Sequence, residues 1–131
     1  MFITEKNYVD EAEKVIRMLS SKKNPRNGRP VPMVTTSKIR NILAMAADIY
    51  NEILLLQEDE LGQELEGRID YLRVRCVYEY GRGGGDVKDF IKEAKLLELL
   101  KEIGGSRKNY LLFHRYMESL VAFHRYYNGK E

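Results

Sequence analysis

Apolar residues recur every three or four positions along most of this chain, and polar residues fill the positions between them. That period is typical of amphipathic α-helices, because residues three and four apart share one helix face. The alternation that indicates strands is weak. The pattern therefore predicts an all-α fold, a compact bundle of about five helices. The expected helices cover about residues 7–20, 36–57, 60–80, 87–103 and 107–127.

Residues at the expected helix ends agree with these boundaries. A cap is expected among residues 35–37 for the second helix, at Asp86 for the fourth and at Ser106 for the fifth, because such side chains accept hydrogen bonds from free N–H groups. Glycines 104–105 should end the fourth helix, and glycines 83–85 should permit a sharp reversal before it.

The third predicted helix carries the most informative polar pattern. Alternating arginine and tyrosine, spaced three and four residues apart, fall on one face of it. We call this set the Arg/Tyr stripe: Arg68, Tyr71, Arg75, Tyr78 and Arg82. Unpaired guanidinium groups are too costly to bury, so the stripe should be exposed. Arginines that alternate with aromatic rings can hold a phosphate backbone and let bases stack.

A second interpretation of the stripe needs no ligand. Charged residues are common at protein surfaces, and the three arginines could pair with carboxylates. Glu64 and Glu79 lie at suitable positions on the same helix, and a neighbouring helix could supply others. The sequence leaves both interpretations open.

Cations stand at two predicted helix starts, where the helix dipole disfavours them. The second helix begins with Lys38 and Arg40, and the fifth with Arg107 and Lys108. A bound phosphate would reverse the penalty, because it would meet free N–H groups and cations together. Simple tolerance of a penalty of a few tenths of a kcal/mol is the alternative.

The one long predicted loop, residues 21–35, is basic and contains all three prolines. Its cations are Lys22, Lys23, Arg26 and Arg29, and it has no acidic residue. Such a segment could become ordered on a polyanion. The alternative is a plain solvated linker.

Composition narrows the class of protein. A chain of 131 residues is expected to form a single helical domain, residues 1–131, and is long enough to bury a core without disulfides. With 22 basic and 20 acidic residues, only an uneven charge distribution could favour nucleic acid. The single Cys76, the lack of a signal-peptide pattern and the lack of an apolar span predict a cytoplasmic protein without a membrane partner.

No catalytic, metal or cofactor site is predicted. Glycines 83–85 lack the Lys-Ser/Thr of a phosphate loop, and no nucleophile or isolated carboxylate pair is evident. His124 is expected to be a hydrogen-bonded core residue, and the spacing of four between His114 and Glu118 allows a pair that resembles a surface or interface ion pair more than an acid/base dyad. Cys76 does not complete a metal site with them.

Several segments resemble a known family. They are Thr35 to Arg40, Leu72 to Arg82, Phe90 to Leu100, and above all Phe113 to His124. Together they resemble the small helical subunit of the type III-A CRISPR effector, the Csm complex. The resemblance runs from near Val34 to Gly129. Ser119 and Phe123 depart mildly from it, because alanine and tyrosine would be expected there.

The resemblance implies an all-α, non-enzymatic, RNA-binding structural subunit that serves antiviral defence. Several copies would stack beside the backbone subunits and the large polymerase-like subunit, and would line the channel for guide and target RNA. The residues in matching segments that it implies for phosphate contact are Lys38, Arg40, Arg68, Arg75 and Arg82.

A helical protein-interaction or oligomerisation module without nucleic-acid binding is the alternative function. Four apolar residues, Leu55, Val74, Val77 and Tyr126, fall outside the predicted core faces and could contact another protein.

Overall fold

A computed structural model describes residues 1–127, which contain six α-helices and no strand apart from two isolated bridges. They are α1 (Tyr8–Ser20), α2 (Thr36–Ile53), α3 (Gln63–Arg82), α4 (Gly85–Glu93), α5 (Leu96–Glu102) and α6 (Arg107–Tyr127). The all-α prediction is confirmed, although the helix count is six rather than five. Gly129, the end of the resemblance, lies outside the described residues.

Helix α6 is the centre of the bundle, and α1 and α2 pack along it. Its inner side is fully buried at Tyr110, Phe113, Tyr116, Met117 and Leu120. Buried hydroxyl groups also connect the helices. Tyr110 donates to the Ala46 carbonyl of α2 at 2.6 Å, and Tyr116 donates to the Ala94 carbonyl at 2.9 Å. The last helix therefore fixes both the α2 side and the α4–α5 side of the bundle.

The expected fourth helix is in fact two helices. Lys95 adopts a left-handed conformation with φ 58°, which interrupts the helical hydrogen bonds between α4 and α5. The bond from Tyr116 satisfies the Ala94 carbonyl at this break. The change of direction lets Phe90 and Ile91 of α4, and Leu99 of α5, all reach the core.

The end of α2 and the start of α3 also differ from the expectation. Helix α2 ends at Ile53, and α3 begins at Gln63. Between them, Leu61 N–H donates to the Gly105 carbonyl at 2.9 Å, and Arg107 N–H donates to the Asp59 carbonyl at 2.8 Å. This pairing holds the segment before α3 in an extended form.

The α3–α4 turn needs glycine for space rather than for an unusual dihedral angle. Gly83 has φ −75°, but a Cβ there would lie 2.7 Å from the Glu79 carbonyl oxygen and 2.8 Å from Val87 Cβ. Asp86 lies in the first turn of α4 and makes no cap, which corrects that prediction. The Ser106 cap is confirmed, since Ser106 Oγ accepts from Asn109 N–H at 3.1 Å.

The long basic loop contains a short hairpin. Val31 N–H donates to the Lys22 carbonyl at 2.9 Å, and Asn24 N–H donates to the Arg29 carbonyl at 2.8 Å. Gly28 makes the tight turn with φ 67°. We call residues 22–31 the basic hairpin. Its base lies against α4, because Lys22 Nζ is 2.9 Å from an Asp89 carboxylate oxygen.

Candidate nucleic-acid interface

The Arg/Tyr stripe lies along one outer face of α3, as its spacing predicts. Tyr71 is 61% exposed and Tyr78 is 53% exposed, so both rings are available at the surface. The arginine side chains lie beside them in partly or fully exposed positions. From Arg68 to Arg82 the stripe is about 21 Å long, because an α-helix rises about 1.5 Å per residue.

Helix α2 lies antiparallel beside α3 and adds Lys38 to one end of the stripe. Lys38 and Arg82 line the same cleft of about 240 Å³ at the α3–α4 turn. At the other end, Arg68 and Tyr71 line a smaller groove against α2, with a volume of about 150 Å³. Four of the five predicted phosphate contacts are therefore on one side of the α2–α3 pair.

Arg40 is the exception. It is two residues from Lys38, which places it about 200° further around α2. It is exposed, but it does not line either cleft of the stripe. The structure does not bring Arg40 together with the other predicted contacts.

Carboxylates pair with every arginine of the stripe. Arg68 forms an ion pair with Glu52 of α2. Glu79 pairs with both of the other arginines: one carboxylate oxygen lies 3.7 Å from an Arg75 Nη atom, and the other accepts a hydrogen bond from Arg82 Nε at 3.1 Å. The ion-pair interpretation is thus confirmed for Glu79 and for a neighbouring helix, whereas Glu64 takes no part in these three pairs.

These pairs reduce the positive charge of the stripe but do not cancel it, because one carboxylate serves two arginines. Partly exposed ion pairs of this kind contribute about 0–1 kcal/mol, so a phosphate can compete for the guanidinium groups. Arg75 and Arg82 also lie over the Tyr78 ring, at 5.1 Å and 5.7 Å from its centroid. The ring orients the cations at this end of the stripe.

A protein contact accounts for one cation at each helix start. Lys38 Nζ is 2.9 Å from an Asp86 oxygen, and Arg107 Nε donates to the Ile53 carbonyl at the end of α2 at 3.4 Å. Burial alone would raise the pKa of Asp86, but hydrogen bonds from Lys38 and the Val87 N–H hold it below its ordinary value of 3.8. Neither Lys38 nor Arg107 therefore requires a phosphate at its helix start.

Comparison with known proteins establishes the family. The sequence model of the family described as Csm2 Type III-A matches residues 5–130. The chain belongs to this Csm2 family. A relative from Mycobacterium tuberculosis strain H37Rv, named CRISPR system Cms protein Csm2, is 40% identical over all of this chain and 99% of its own length. The protein of that name from Streptococcus thermophilus is 41% identical over 98% of each chain.

A more distant Csm2 relative, from Enterococcus italicus, is 27% identical over 88% of this chain and 86% of its own length. The match to the Csm2 family thus covers the complete Arg/Tyr stripe and the basic hairpin. It also confirms the resemblance noted in the sequence.

The two histidines of this Csm2-family chain are both buried and packed within the bundle. His124 is buried, as predicted, with Nε2 2.6 Å from the Val34 carbonyl and Nδ1 3.1 Å from the Thr36 hydroxyl. His114 Nε2 lies 3.7 Å from a Glu118 carboxylate oxygen, as their spacing predicts, but the surface location is wrong, because His114 is buried and stacks on Tyr50 with ring centroids 4.1 Å apart. Burial lowers the pKa of His114, which favours a neutral ring beside Glu118 rather than an ion pair.

Residues 1–127 contain no metal-binding cluster, reactive cysteine or membrane span. No group of three His, Cys, Asp or Glu residues there could hold a metal ion. Burial, assisted by the charge of Glu79, raises the pKa of Cys76 to about 12, so the thiol is protonated and unreactive at neutral pH. Within the same residues, no helix is long and apolar enough to cross a bilayer.

Sequence reasoning missed the carboxylates that organise this surface. Glu52 and Asp86 contact cations that are distant in the sequence, so only the tertiary structure, which packs α2 against α3 and brings Lys38 to Asp86 of α4, reveals the pairs. Glu79 was the one partner that its spacing of three and four residues from the stripe arginines could identify.

Proposed function

We propose that this chain is the RNA-binding structural small subunit of a type III-A CRISPR ribonucleoprotein. Its relatives carry the name CRISPR system Cms protein Csm2, which supports membership of such a complex. The observation that carries RNA binding is the exposed Arg/Tyr stripe of α3, extended by Lys38 of α2. We include Arg40 only as a separate candidate contact, since it lies on another side of α2.

The proposed mechanism is contact with phosphates, without recognition of individual bases. The three stripe arginines would exchange their weak carboxylate pairs for phosphate oxygens, which guanidinium groups bind with two parallel hydrogen bonds. Base pairing between guide and target RNA would supply sequence specificity. The chain would line the channel that holds this RNA, do no chemistry itself, and act in the cytoplasm.

The proposed partners follow from that role. They are guide and target RNA, the backbone and large polymerase-like subunits of the Csm complex, and further copies of this chain. The exposed Val74 is four residues from Tyr78, about 40° around α3 from the stripe, which would place a protein contact directly beside the RNA, whereas the exposed Val77 lies about 100° from Tyr78.

The test is a variant in which Arg68, Arg75 and Arg82 are all replaced by alanine. The wild type should bind single-stranded RNA weakly, and each phosphate neutralised should contribute about −0.7 to the slope of log affinity against log salt. The triple variant should bind more weakly while its helical circular dichroism is unchanged.

A matched control removes the same charge elsewhere. Lys6, Lys14 and Lys101 are exposed and lie away from the stripe, before α1, on α1 and on α5. Their alanine variant should bind RNA about as well as the wild type. If the arginine variant binds as tightly as this control, the stripe is not the RNA site.

The second candidate is a protein-interaction module that does not bind nucleic acid. The exposure of Leu55 (83%), Tyr126 (78%), Val74 (56%) and Val77 (53%) favours it. Size-exclusion chromatography with added RNA separates the two functions. A pure interaction module would assemble with itself or with other subunits but would retain no RNA in the protein peak.

A further inference from the structure

The basic hairpin presents its cations from a backbone that hydrogen bonds hold in one shape. Its two sides are joined by backbone hydrogen bonds, and Asn24 and Asn27 brace the turn by accepting from the N–H groups of Arg26 at 2.8 Å and Arg29 at 2.9 Å. Both arginines and Lys23 are exposed. A polyanion would therefore meet a turn whose backbone is already shaped, with a low entropic cost of ordering.

The hairpin differs from the Arg/Tyr stripe in how many of its cations are paired with carboxylates. Lys23, Arg26 and Arg29 form no ion pair with any carboxylate of residues 1–127, and residues 21–35 contain no acid. Every arginine of the stripe, in contrast, has a carboxylate partner. Cations without a carboxylate partner can each neutralise a phosphate without first giving up an ion pair, and the counterions that this releases from the nucleic acid drive binding.

Helix α4 connects the hairpin to the stripe. Asp89 holds Lys22 at the hairpin base, and Asp86, one turn earlier on α4, holds Lys38. Residues three apart lie about 5–6 Å apart on one helix face, so the two lysines are anchored side by side. Because Lys38 shares a cleft with Arg82, the hairpin lies at the Arg82 end of the stripe.

We propose that the basic hairpin is a second RNA-binding element, which extends the stripe and supplies the larger share of the electrostatic attraction to phosphates. This inference rests on the proposed RNA-binding function. The stripe would then position the RNA and provide aromatic contacts to it, and the hairpin would contribute most of the salt-dependent affinity.

The test uses the full chain with Lys23, Arg26 and Arg29 replaced by glutamine. Lys22 is retained so that the hairpin stays attached to Asp89. Binding to a labelled single-stranded RNA of about 30 nucleotides is measured by fluorescence anisotropy between about 50 and 200 mM salt. Thermal unfolding followed by circular dichroism shows whether the fold is retained.

Loss of three phosphate contacts should lower the magnitude of the salt slope by about 2. Over that fourfold salt range, the wild type should lose about 20-fold more affinity than the hairpin variant. The hairpin variant should change the slope more than the stripe variant at Arg68, Arg75 and Arg82. The control at Lys6, Lys14 and Lys101 should retain the wild-type slope.

The inference is overturned if the hairpin variant, folded as shown by circular dichroism, keeps the slope and affinity of the wild type. It is also overturned if the stripe variant loses more slope than the hairpin variant. A wild type that retains no RNA at about 50 mM salt would instead refute the proposed function itself. The outcomes for the two proposals are therefore distinct.

Discussion

Glu79 offers the sharpest test of the Arg/Tyr stripe, because its replacement should strengthen RNA binding. Its carboxylate contacts both Arg75 and Arg82, and it is the only acid of the described residues that pairs with two stripe arginines. Glutamine has nearly the same shape but no charge. Glu79→Gln should therefore release two guanidinium groups for phosphate and remove a repulsive charge from beneath the bound RNA.

The expected gain follows from Coulomb's law. A phosphate held by the two arginines would lie about 7 Å from the Glu79 carboxylate, where the repulsion is about 0.6 kcal/mol in water and about 2.4 kcal/mol at an effective dielectric constant of 20. An intermediate value of about 1 kcal/mol corresponds to roughly fivefold tighter binding. The two lost pairs should reduce folding stability by less than about 1 kcal/mol.

Fluorescence anisotropy with single-stranded RNA at about 50 mM salt measures this gain where screening is weak. Glu5→Gln is the matched control, since it changes net charge equally at an exposed site in the cleft near the start of α6. We expect the control to bind like the wild type. Unchanged or weaker binding by Glu79→Gln would show that the phosphates do not occupy the surface around Arg75 and Arg82.

Three further predictions concern the fold that supports this surface. Tyr116→Phe leaves the Ala94 carbonyl without its donor and should lower the free energy of unfolding by about 1–3 kcal/mol, measured by urea titration. Cys76, with a pKa of about 12, should resist thiol reagents at neutral pH until denaturant exposes it, and rapid labelling of the native protein would contradict its burial. Because the folded pKa of His114 lies below its ordinary 6.5, the unfolded state binds the extra proton, and stability should fall as the pH decreases from 6.5. Urea midpoints that decline equally in the wild type and in His114→Gln would refute that assignment.

The parts of the fold that depend on local pattern could be predicted from the sequence. The stripe is a direct consequence of helical periodicity, and the Ser106 cap follows from the chemistry of its hydroxyl group. The buried position of His124 follows from the apolar residues around it on α6. Each of these features involves residues within a few turns of one helix.

The parts that depend on tertiary contacts could not be predicted. The break at Lys95 has neither glycine nor proline to signal it, and a hydrogen bond from Tyr116 satisfies the Ala94 carbonyl exposed there. Likewise, the pair between Arg68 and Glu52 exists only because α2 and α3 run antiparallel. Periodicity gives the face on which a cation lies, but it does not show whether another helix brings a carboxylate to it.

That distinction changes which residues should dominate RNA binding. The sequence favours the stripe because its spacing is regular, yet regular spacing on a helix also places Glu79 within reach of two of its arginines. The basic hairpin has no helical period and no acid, and only its Lys22 is paired with a carboxylate, so Lys23, Arg26 and Arg29 are not offset by an ion pair. If counterion release drives binding, removing charge from the hairpin and removing the carboxylate from the stripe should have opposite effects on affinity. A surface that binds RNA through shape alone would show neither effect, and the two variants together therefore separate electrostatic binding from any other mode.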